Sequence, residues 1–225
     1  MRIGPFGRRG GTDPLEERFG IRRSKLPGPV RAALDTLLAE QAILSQENYD
    51  LAERLAQAQA LADRDSLLPV YNRRAFLREL QRIVSYTERY QTQAAVLFID
   101  MDGFKALNDG FGHAVGDAAL AHVARLLLTQ VRESDIVGRI GGDEFAVVLT
   151  NAPAEEARRK AQALAALVAD TPFIFEGVRH ALGATIGLHA FGGTAAVPAP
   201  ETLLARADEA MYAAKQAAKV RQSAG

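Results

Sequence analysis

The amino-acid sequence predicts an α/β sandwich: a central mixed, largely antiparallel sheet flanked by helices and preceded by one long N-terminal helix. Helical patterns alternate with short apolar runs of strand length. One stretch, residues 136–149, carries Gly141 and Gly142 between two apolar halves, which indicates a β-hairpin whose glycines take the positive φ angles of a primed turn. A hairpin joins antiparallel strands, so a doubly wound parallel sheet is not expected. A heptad pattern over 30–62 predicts the preceding helix.

Composition sets limits on the class of protein. The chain has 225 residues, of which 48% are hydrophobic and 24% charged, an ordinary balance for one globular domain with an extension. It contains no cysteine, which excludes disulfides, thiolate metal sites and cysteine nucleophiles. Basic and acidic residues both number 27, so overall charge indicates no nucleic-acid partner. Because no apolar run is long enough for a membrane span or a signal peptide, we expect a soluble, cytoplasmic protein.

Residues 1–29 are predicted to form a basic, flexible arm. Proline and glycine interrupt this stretch too often for a long helix, although one short helix near Pro14–Ile21 is compatible with the pattern. Residues 1–31 carry eight basic and three acidic side chains. The arm is therefore a candidate binding segment for another protein.

Residues 30–64 are predicted to be a coiled-coil dimerisation helix. Mostly apolar residues, with two polar ones at a positions, follow a regular alternation of four and three: Val30, Leu34, Leu37, Gln41, Leu44, Asn48, Leu51, Leu55, Ala58 and Ala62. Asn48 falls on an a position, where two paired asparagines favour a parallel homodimer in one register. The alternative is an ordinary amphipathic helix packed on its own domain.

The globular part is expected over residues 65–225, with alternating helices and strands. The predicted elements are a helix from Arg74 to about Tyr90, a strand at 94–102, a short and a long helix within 104–131, the hairpin 136–149, a helix at 153–170, strands at 173–177 and 180–191, and a last helix at 200–219. The run 94–102 is apolar throughout, which is typical of a central strand covered on both faces.

Four carboxylates follow strands that we expect to be neighbours. Asp100 and Asp102 end the strand 94–102, and Asp143 and Glu144 lie on the hairpin. If the strands are adjacent, these acids meet at one edge of the sheet. Oxygen ligands without histidine or cysteine indicate Mg²⁺ or Mn²⁺, and magnesium held by few protein ligands usually shares its other positions with substrate phosphates. The alternative is that acids near a turn are simply solvated.

The residues after Asp102 add a phosphate site to this edge. Gly103, Phe104 and Lys105 begin a helix, whose free N–H groups and dipole can bind phosphate oxygens. A metal, a helix N-terminus and a lysine together suit nucleophilic attack at a phosphate.

Four segments carry a resemblance to a known family. They read "DSLLPVYNRRAF", "DMDGFKALNDGFGHAVGD", "RIGGDEF" and "ADEAMYAAKQAAK", within residues 63–221. In these motifs the chain resembles the GGDEF family, the diguanylate cyclases, which implies the palm-like fold of nucleotidyl cyclases. It departs from the family pattern at Leu68-Pro69, where Thr-Gly is usual, and at Ala218 and Lys219, where Gly and Arg are usual.

The resemblance implies a reaction and a metal site. Family members condense two GTP into cyclic di-GMP and two pyrophosphates, and act as dimers. Asp100, the backbone carbonyl of Met101, Asp143 and Glu144 would bind two Mg²⁺ (or Mn²⁺) ions in each active site. Asp143 and Glu144 would be catalytic together with Lys105, and Asp143 is the candidate acceptor of the hydroxyl proton.

The resemblance also implies substrate contacts. Asn108 and Asp117 match positions that read guanine, whereas the alternative for both is helix capping. Lys105, Lys215 and Lys219 would meet phosphates; because lysine offers a point charge where arginine offers a bidentate fork, Lys219 can weaken triphosphate affinity. The remaining implied substrate-binding positions are Gly103, Phe104, His113 and Gly142, with His113 expected to support the helix turn.

A last match concerns regulation. Arg132 and Asp135 in "RESD" resemble the family's inhibitory R-x-x-D site for cyclic di-GMP, with a surface ion pair as the alternative. The leading hypothesis is therefore a product-inhibited diguanylate cyclase. The rival is a catalytically weak or inactive domain that acts as a cyclic di-GMP receptor or scaffold.

Overall fold

The computed structural model describes residues 15 and 19–223, and the chain divides into two units, Met1–Gln59 and Ala60–Gly225. The predicted flexible arm, with its short helix near Pro14–Ile21, lies mostly outside the described residues. Among these residues, no helix combines the length and the apolar character needed to cross a membrane.

Most of helix α1, Gly28–Asp63, belongs to the first unit, where it follows a short 3₁₀ turn at Arg23–Lys25. Its long apolar side chains are between 51% and 62% exposed at Val30, Leu37, Leu44, Leu51 and Leu55. The Asn48 side-chain amide donates to the Leu44 carbonyl at 2.9 Å within the helix. The predicted helix is therefore present with an exposed apolar seam, and its pairing with a second copy stays a prediction.

The second unit is built on a five-stranded sheet. Its strands are β1 Tyr71–Asn72, β2 Gln93–Asp102, β3 Ile136–Arg139, β4 Glu144–Leu149 and β7 Gly183–Gly192. Their order across the sheet is β1-β3-β4-β2-β7. Only β1 and β3 pair in parallel, and the other neighbours are antiparallel. The predicted mixed, largely antiparallel sheet is confirmed.

Helices cover both faces of this sheet. They are α2 Arg73–Tyr90, α3 Phe104–Phe111, α4 His113–Gln130, α5 Ala154–Asp170 and α6 Pro200–Ser223. One face packs against α4 and α5, and the opposite face against α2 and α6. Successive side chains of the central strand β2 alternate between the two cores, so its middle residues are buried, as its apolar run predicts.

One predicted strand boundary is wrong. The stretch after α5 forms a separate hairpin of β5, Phe173–Phe175, and β6, Val178–His180, so that His180 ends β6 and β7 begins only at Gly183. Glu176 and Gly177 both have positive φ, 48° and 80°. Two positive φ angles form the tight primed turn that folds the chain back before the sheet resumes.

The segment between α1 and α2 is ordered by side-chain hydrogen bonds. The Asp65 carboxylate accepts from the N–H groups of Leu67 and Leu68, each at 3.0 Å. Leu68, which departs from the family pattern, is 3% exposed and belongs to the α4/α5 core. The Pro69 carbonyl accepts from the Arg64 guanidinium at 3.0 Å. The departure at Leu68-Pro69 is thus accommodated by burial of the leucine and leaves the turn intact.

Candidate active site

The register of β2 and β4 places the acids together. Asp100 lies directly opposite Glu144, and the Met101 N–H donates to the Asp143 carbonyl at 3.2 Å. The expectation that the two strands are adjacent, with their acids at one edge, is confirmed. On the same edge the Lys215 ammonium of α6 contacts an oxygen of Asp100.

The edge carries unbalanced negative charge. Burial raises the pKa of Glu144, and the nearby carboxylates of Asp100, Asp208 and Asp143 raise it further, whereas Arg73 opposes them. Carboxylates close enough to disfavour one another's ionisation fit a divalent cation, which would neutralise them. The described residues contain no ready-made group of three or more histidine, cysteine or carboxylate ligands around one point. The donor chemistry therefore fits Mg²⁺ or Mn²⁺, although the ligands are not already gathered around one position.

The conformation of the hairpin turn differs from the one that the sequence predicts. Gly141 and Gly142 are not among the residues with positive φ, so the prediction of a primed turn is wrong. The Arg139 guanidinium instead organises the turn by donating to the Gly142 carbonyl at 2.7 Å and to Asp65 at 3.2 Å. A Cβ at Gly141 would collide with the carboxylate of Glu144, whereas one at Gly142 would meet nothing. The Glu144 carboxylate thus lies over Gly141, and a side chain at position 141 would have to displace it.

A cavity of about 410 Å³ adjoins this edge and is lined by Asp102, Gly103, Thr185, Lys215, Ala218 and Lys219. Gly103 has a φ of 71° and caps α3 without a side-chain bond, which leaves the first N–H groups of that helix free of side-chain caps. Asp102 accepts from the Thr185 hydroxyl at 2.8 Å. Two of the three predicted phosphate-binding lysines line this cavity, while Lys105 is exposed on α3 and does not.

The predicted guanine readers lie where α3 and α4 meet. The Asn108 Oδ1 atom is buried and has no hydrogen-bond partner in the part of the chain that is described. A Cβ at Gly116 would collide with this oxygen, so Gly116 gives the amide room beside Asp117. A buried, unpaired amide oxygen costs free energy unless a ligand or water satisfies it.

The capping alternative for these residues is wrong. The N-caps of α3 and α4 are Gly103 and Gly112, and neither helix has a side-chain cap bond. Asp117 is exposed in the second turn of α4 and makes no side-chain hydrogen bond to any described residue. His113 is exposed at the start of α4, and its imidazole likewise bonds to nothing in the described range, so it does not support the turn by hydrogen bonding.

Other residues of the edge were not predicted. Asp208 and Arg73 line a second cavity of about 300 Å³ with Glu144, on the face covered by α2 and α6. Both lie in segments that resemble family motifs, "ADEAMY" and "NRR". Nothing in their spacing indicates proximity to Glu144, because that depends on how the helices pack on the sheet. Phe104 packs against the α4/α5 core and has a packing role at the start of α3.

A separate cavity of about 330 Å³ contains Arg132 and Asp135. The carboxylate of Asp135 accepts from the N–H groups of Arg132 and Thr150, both at 2.9 Å, and lies 3.1 Å from the Thr150 hydroxyl. The Arg132 guanidinium lies 3.5 Å from Glu156. The alternative of a simple Arg132–Asp135 side-chain ion pair is therefore wrong, because Asp135 orders the turn and Arg132 pairs with α5.

The chain is similar in sequence to curated diguanylate cyclases. Diguanylate cyclase TpbB from Pseudomonas aeruginosa is 40% identical over 197 residues, which cover 87% of this chain and 43% of that protein. Probable diguanylate cyclase DgcE from Escherichia coli is 35% identical over 179 residues, covering 80% of this chain and 16% of that protein. The chain thus spans less than half the length of these curated relatives.

Solved structures share the fold. The coiled coil and GGDEF domain of DgcB from Caulobacter crescentus, in complex with c-di-GMP, match with a TM-score of 0.70 and 26% identity over 81% of this chain and 95% of that one. The GGDEF domain of TpbB matches with a TM-score of 0.63 and 41% identity over 68% of this chain and 88% of that one. The family model "Diguanylate cyclase, GGDEF domain" matches residues 62–221. The chain therefore belongs to the GGDEF domain family of diguanylate cyclases.

Proposed function

We propose that this chain condenses two GTP molecules into cyclic di-GMP with release of two pyrophosphates. The observation that carries the proposal is the direct pairing of Asp100 with Glu144 at the sheet edge where α3 begins. Acids at that edge, beside a cavity with two lysines, suit a nucleoside triphosphate whose α-phosphate is attacked. Membership of the family supports the same reaction.

Metal binding is part of the proposal. Asp100, the Met101 carbonyl, Asp143 and Glu144 would bind two Mg²⁺ (or Mn²⁺) ions. Such ions, when bound, polarise the α-phosphate and acidify a hydroxyl group. The raised pKa of Glu144 supports this role, because the edge has more negative charge than its own lysine and arginine neutralise.

The chain's own residues position and discriminate the nucleotide. Asn108, with its unpaired buried oxygen, would bond the guanine edge, and Asp117 would accept from the guanine N1–H and N2–H₂ groups. Gly103 at the start of α3, Lys215 and Lys219 would bind the triphosphate. Adenine has neither the N1–H nor the N2 amine, so ATP would leave Asp117 unpaired, which gives GTP its advantage over ATP.

Each chemical step exchanges one bond at phosphorus. The 3′-oxygen of one GTP forms a bond to the α-phosphorus of the other, and the bond from that phosphorus to the pyrophosphate oxygen breaks with its electron pair. Asp143 accepts the proton of the 3′-hydroxyl. The reciprocal step closes the ring and releases the second pyrophosphate.

Two chains are needed because each domain would bind one GTP. The exposed seam of α1 supports a parallel homodimer, with Asn48 of the two chains paired. Tethering by such a coiled coil raises the effective concentration of two domains to about millimolar. Residues 1–29 would bind a further protein partner.

The decisive test is the purified 225-residue chain incubated with GTP and Mg²⁺, with products separated by chromatography. We expect cyclic di-GMP and pyrophosphate in a 1:2 ratio, no conversion of ATP, and loss of activity with EDTA that excess Mg²⁺ restores. Absence of product, with cyclic di-GMP binding retained, would instead establish the receptor function. The cavity at Arg132 supports that second possibility as well as product inhibition.

A further inference from the structure

The cavity at Arg132 contains an acidic side chain that opposes an anionic ligand. Its charged lining residues are Arg132, Asp135, Glu156, Arg159 and Lys160. Arg159 and Lys160 form no ion pair with the described residues, so the lining favours anions. Cyclic di-GMP carries two phosphate charges, and a cavity with three cations suits it.

The two acids of the cavity differ in their surroundings. Asp135 accepts two backbone N–H groups and lies within bonding distance of the Thr150 hydroxyl, so the turn already engages its carboxylate. Glu156 has one charged contact, the Arg132 guanidinium at 3.5 Å, and its side chain is 49% exposed. A phosphate that binds Arg132 must therefore replace Glu156, or bind while close to its charge.

We propose that Glu156 is an internal competitor for Arg132, which weakens cyclic di-GMP binding and raises the product concentration at which inhibition begins. The inference rests on the proposed inhibitory site. It assigns to Glu156 a role in setting affinity, in addition to any role in the helix. The ion pair is exposed, so the competition is modest and sensitive to salt.

The neighbouring Glu155 provides a control that distinguishes competition for Arg132 from a general effect of negative charge on the helix. Glu155 and Glu156 both lie in the first turn of α5, where negative charge stabilises the helix by interacting favourably with its dipole. Glu155 contacts Arg158 at 3.5 Å and does not line the cavity. Glu155→Gln therefore removes the same charge from the same helix end without altering the competition.

The test measures cyclic di-GMP binding by calorimetry to the full chain, freed of bound nucleotide, for the wild type, Glu156→Gln and Glu155→Gln. We expect Glu156→Gln to bind about 3- to 10-fold more tightly at low salt, since one charge at about 6 Å is removed from a partly solvated site. The gain should shrink towards zero near 1 M salt, where the screening length is about 3 Å. Glu155→Gln should match the wild type.

A double-mutant cycle identifies the partner. In an Arg132→Ala background, Glu156→Gln should give less gain than in the wild type, because the competed group is absent. The proposal is overturned if the wild type binds cyclic di-GMP and Glu156→Gln binds equally or more weakly. It is also overturned if both glutamine variants gain alike, which would indicate a general charge effect. If the wild type does not bind at all, the inhibitory site itself is wrong, while diguanylate cyclase activity is judged separately by product formation.

Discussion

The two ends of the β3–β4 hairpin carry two regions of opposite electrostatic character. At the end where β4 begins, Glu144 lies opposite Asp100, and burial, followed by repulsion from Asp100 and neighbouring carboxylates, raises the pKa of Glu144. At the other end, about 20 Å away along six residues of strand, Asp135 already accepts hydrogen bonds from backbone and hydroxyl donors. The first region carries more negative charge than Lys215 and Arg73 neutralise, whereas the Asp135 carboxylate of the second region is satisfied by the protein's own donors.

The contrast indicates how each region uses its acids. Carboxylates that the protein leaves short of partners are suited to binding cations, because a ligand supplies what the fold does not. Asp135 accepts from three donors, so its main role is structural: it orders the turn that contains Arg132. Five predictions, in order of decreasing effect, test this difference and the proposed dimer.

Removal of an acid from the first region should abolish synthesis. Asp143→Ala and Glu144→Ala should each lower the rate of cyclic di-GMP formation by at least about 100-fold, as expected for loss of a charged group at the reacting phosphate. Melting temperatures should stay close to that of the wild type, since neither side chain is a hydrogen-bond partner within the core. Glu155→Gln is the control and should keep full activity. Near-normal turnover in either alanine variant would refute the metal assignment.

Removal of the coiled coil should leave GTP binding intact and lower the rate of turnover. Ala62 accepts a hydrogen bond from Asn72 at 2.7 Å, and Asp63 pairs with Arg78, so a truncated chain should begin at residue 60. We expect 60–225 to bind GTP as a monomer, with activity per chain at least about 10-fold below the full chain at about 100 nM protein, where tethering matters most. Sedimentation and activity on the same samples provide the measurement. A monomer with full specific activity at nanomolar concentration would contradict the dimer proposal.

The register of that dimer depends on one residue. Asn48→Leu should keep or strengthen association while reducing its specificity, with oligomers larger than dimers visible by sedimentation.

In the second region, Arg132→Ala and Asp135→Ala should both relieve product inhibition, but only Asp135→Ala should lower stability. Arg132→Ala should raise the cyclic di-GMP concentration for half-inhibition by about 10-fold or more, because charged hydrogen bonds are lost, without changing the initial rate. Asp135→Ala should also relieve inhibition but lower the melting temperature by about 5 °C, since it removes bonds that order the turn. Calorimetry and thermal unfolding measure the two effects. Unchanged cyclic di-GMP binding in Arg132→Ala would remove the site assignment.

The loss of stability at acidic pH should arise from histidines outside both regions. Burial lowers the pKa of His122 and of His189, with contributions from Arg125 and Arg206. A folded-state pKa below the unfolded value of about 6.5 means that the unfolded chain takes up protons first, so stability is lost as pH falls below about 6.5. His122→Phe should reduce the decline in melting temperature between pH 7.5 and 5.5. Arg132→Ala should leave the decline unchanged, and a different slope there would place a titrating group in the second region. Glu144→Ala should steepen the decline, because a folded-state pKa raised above the unfolded value stabilises the fold as pH falls.

The sequence alone determined most of the fold and the identity of the acids. The continuous apolar run of β2 predicts a strand buried on both faces, and the glycine pair predicts the hairpin that follows, because side-chain period and chain reversal are local properties. The long motifs, through their resemblance to a family, indicated Asp100, Asp143, Glu144 and the R-x-x-D pair. The heptad seam predicted α1 in the same local way.

Tertiary structure decided how those residues are surrounded. That Asp208 and Arg73 approach Glu144, and that Glu156 rather than Asp135 pairs with Arg132, both depend on contacts between elements far apart in the chain. The turn at Gly141 and Gly142 did not need positive φ, because Arg139 organises it through hydrogen bonds to carbonyls and to Asp65. Spacing along a sequence specifies which face of an element a side chain occupies. The partner that meets it there is set only when helices and strands pack.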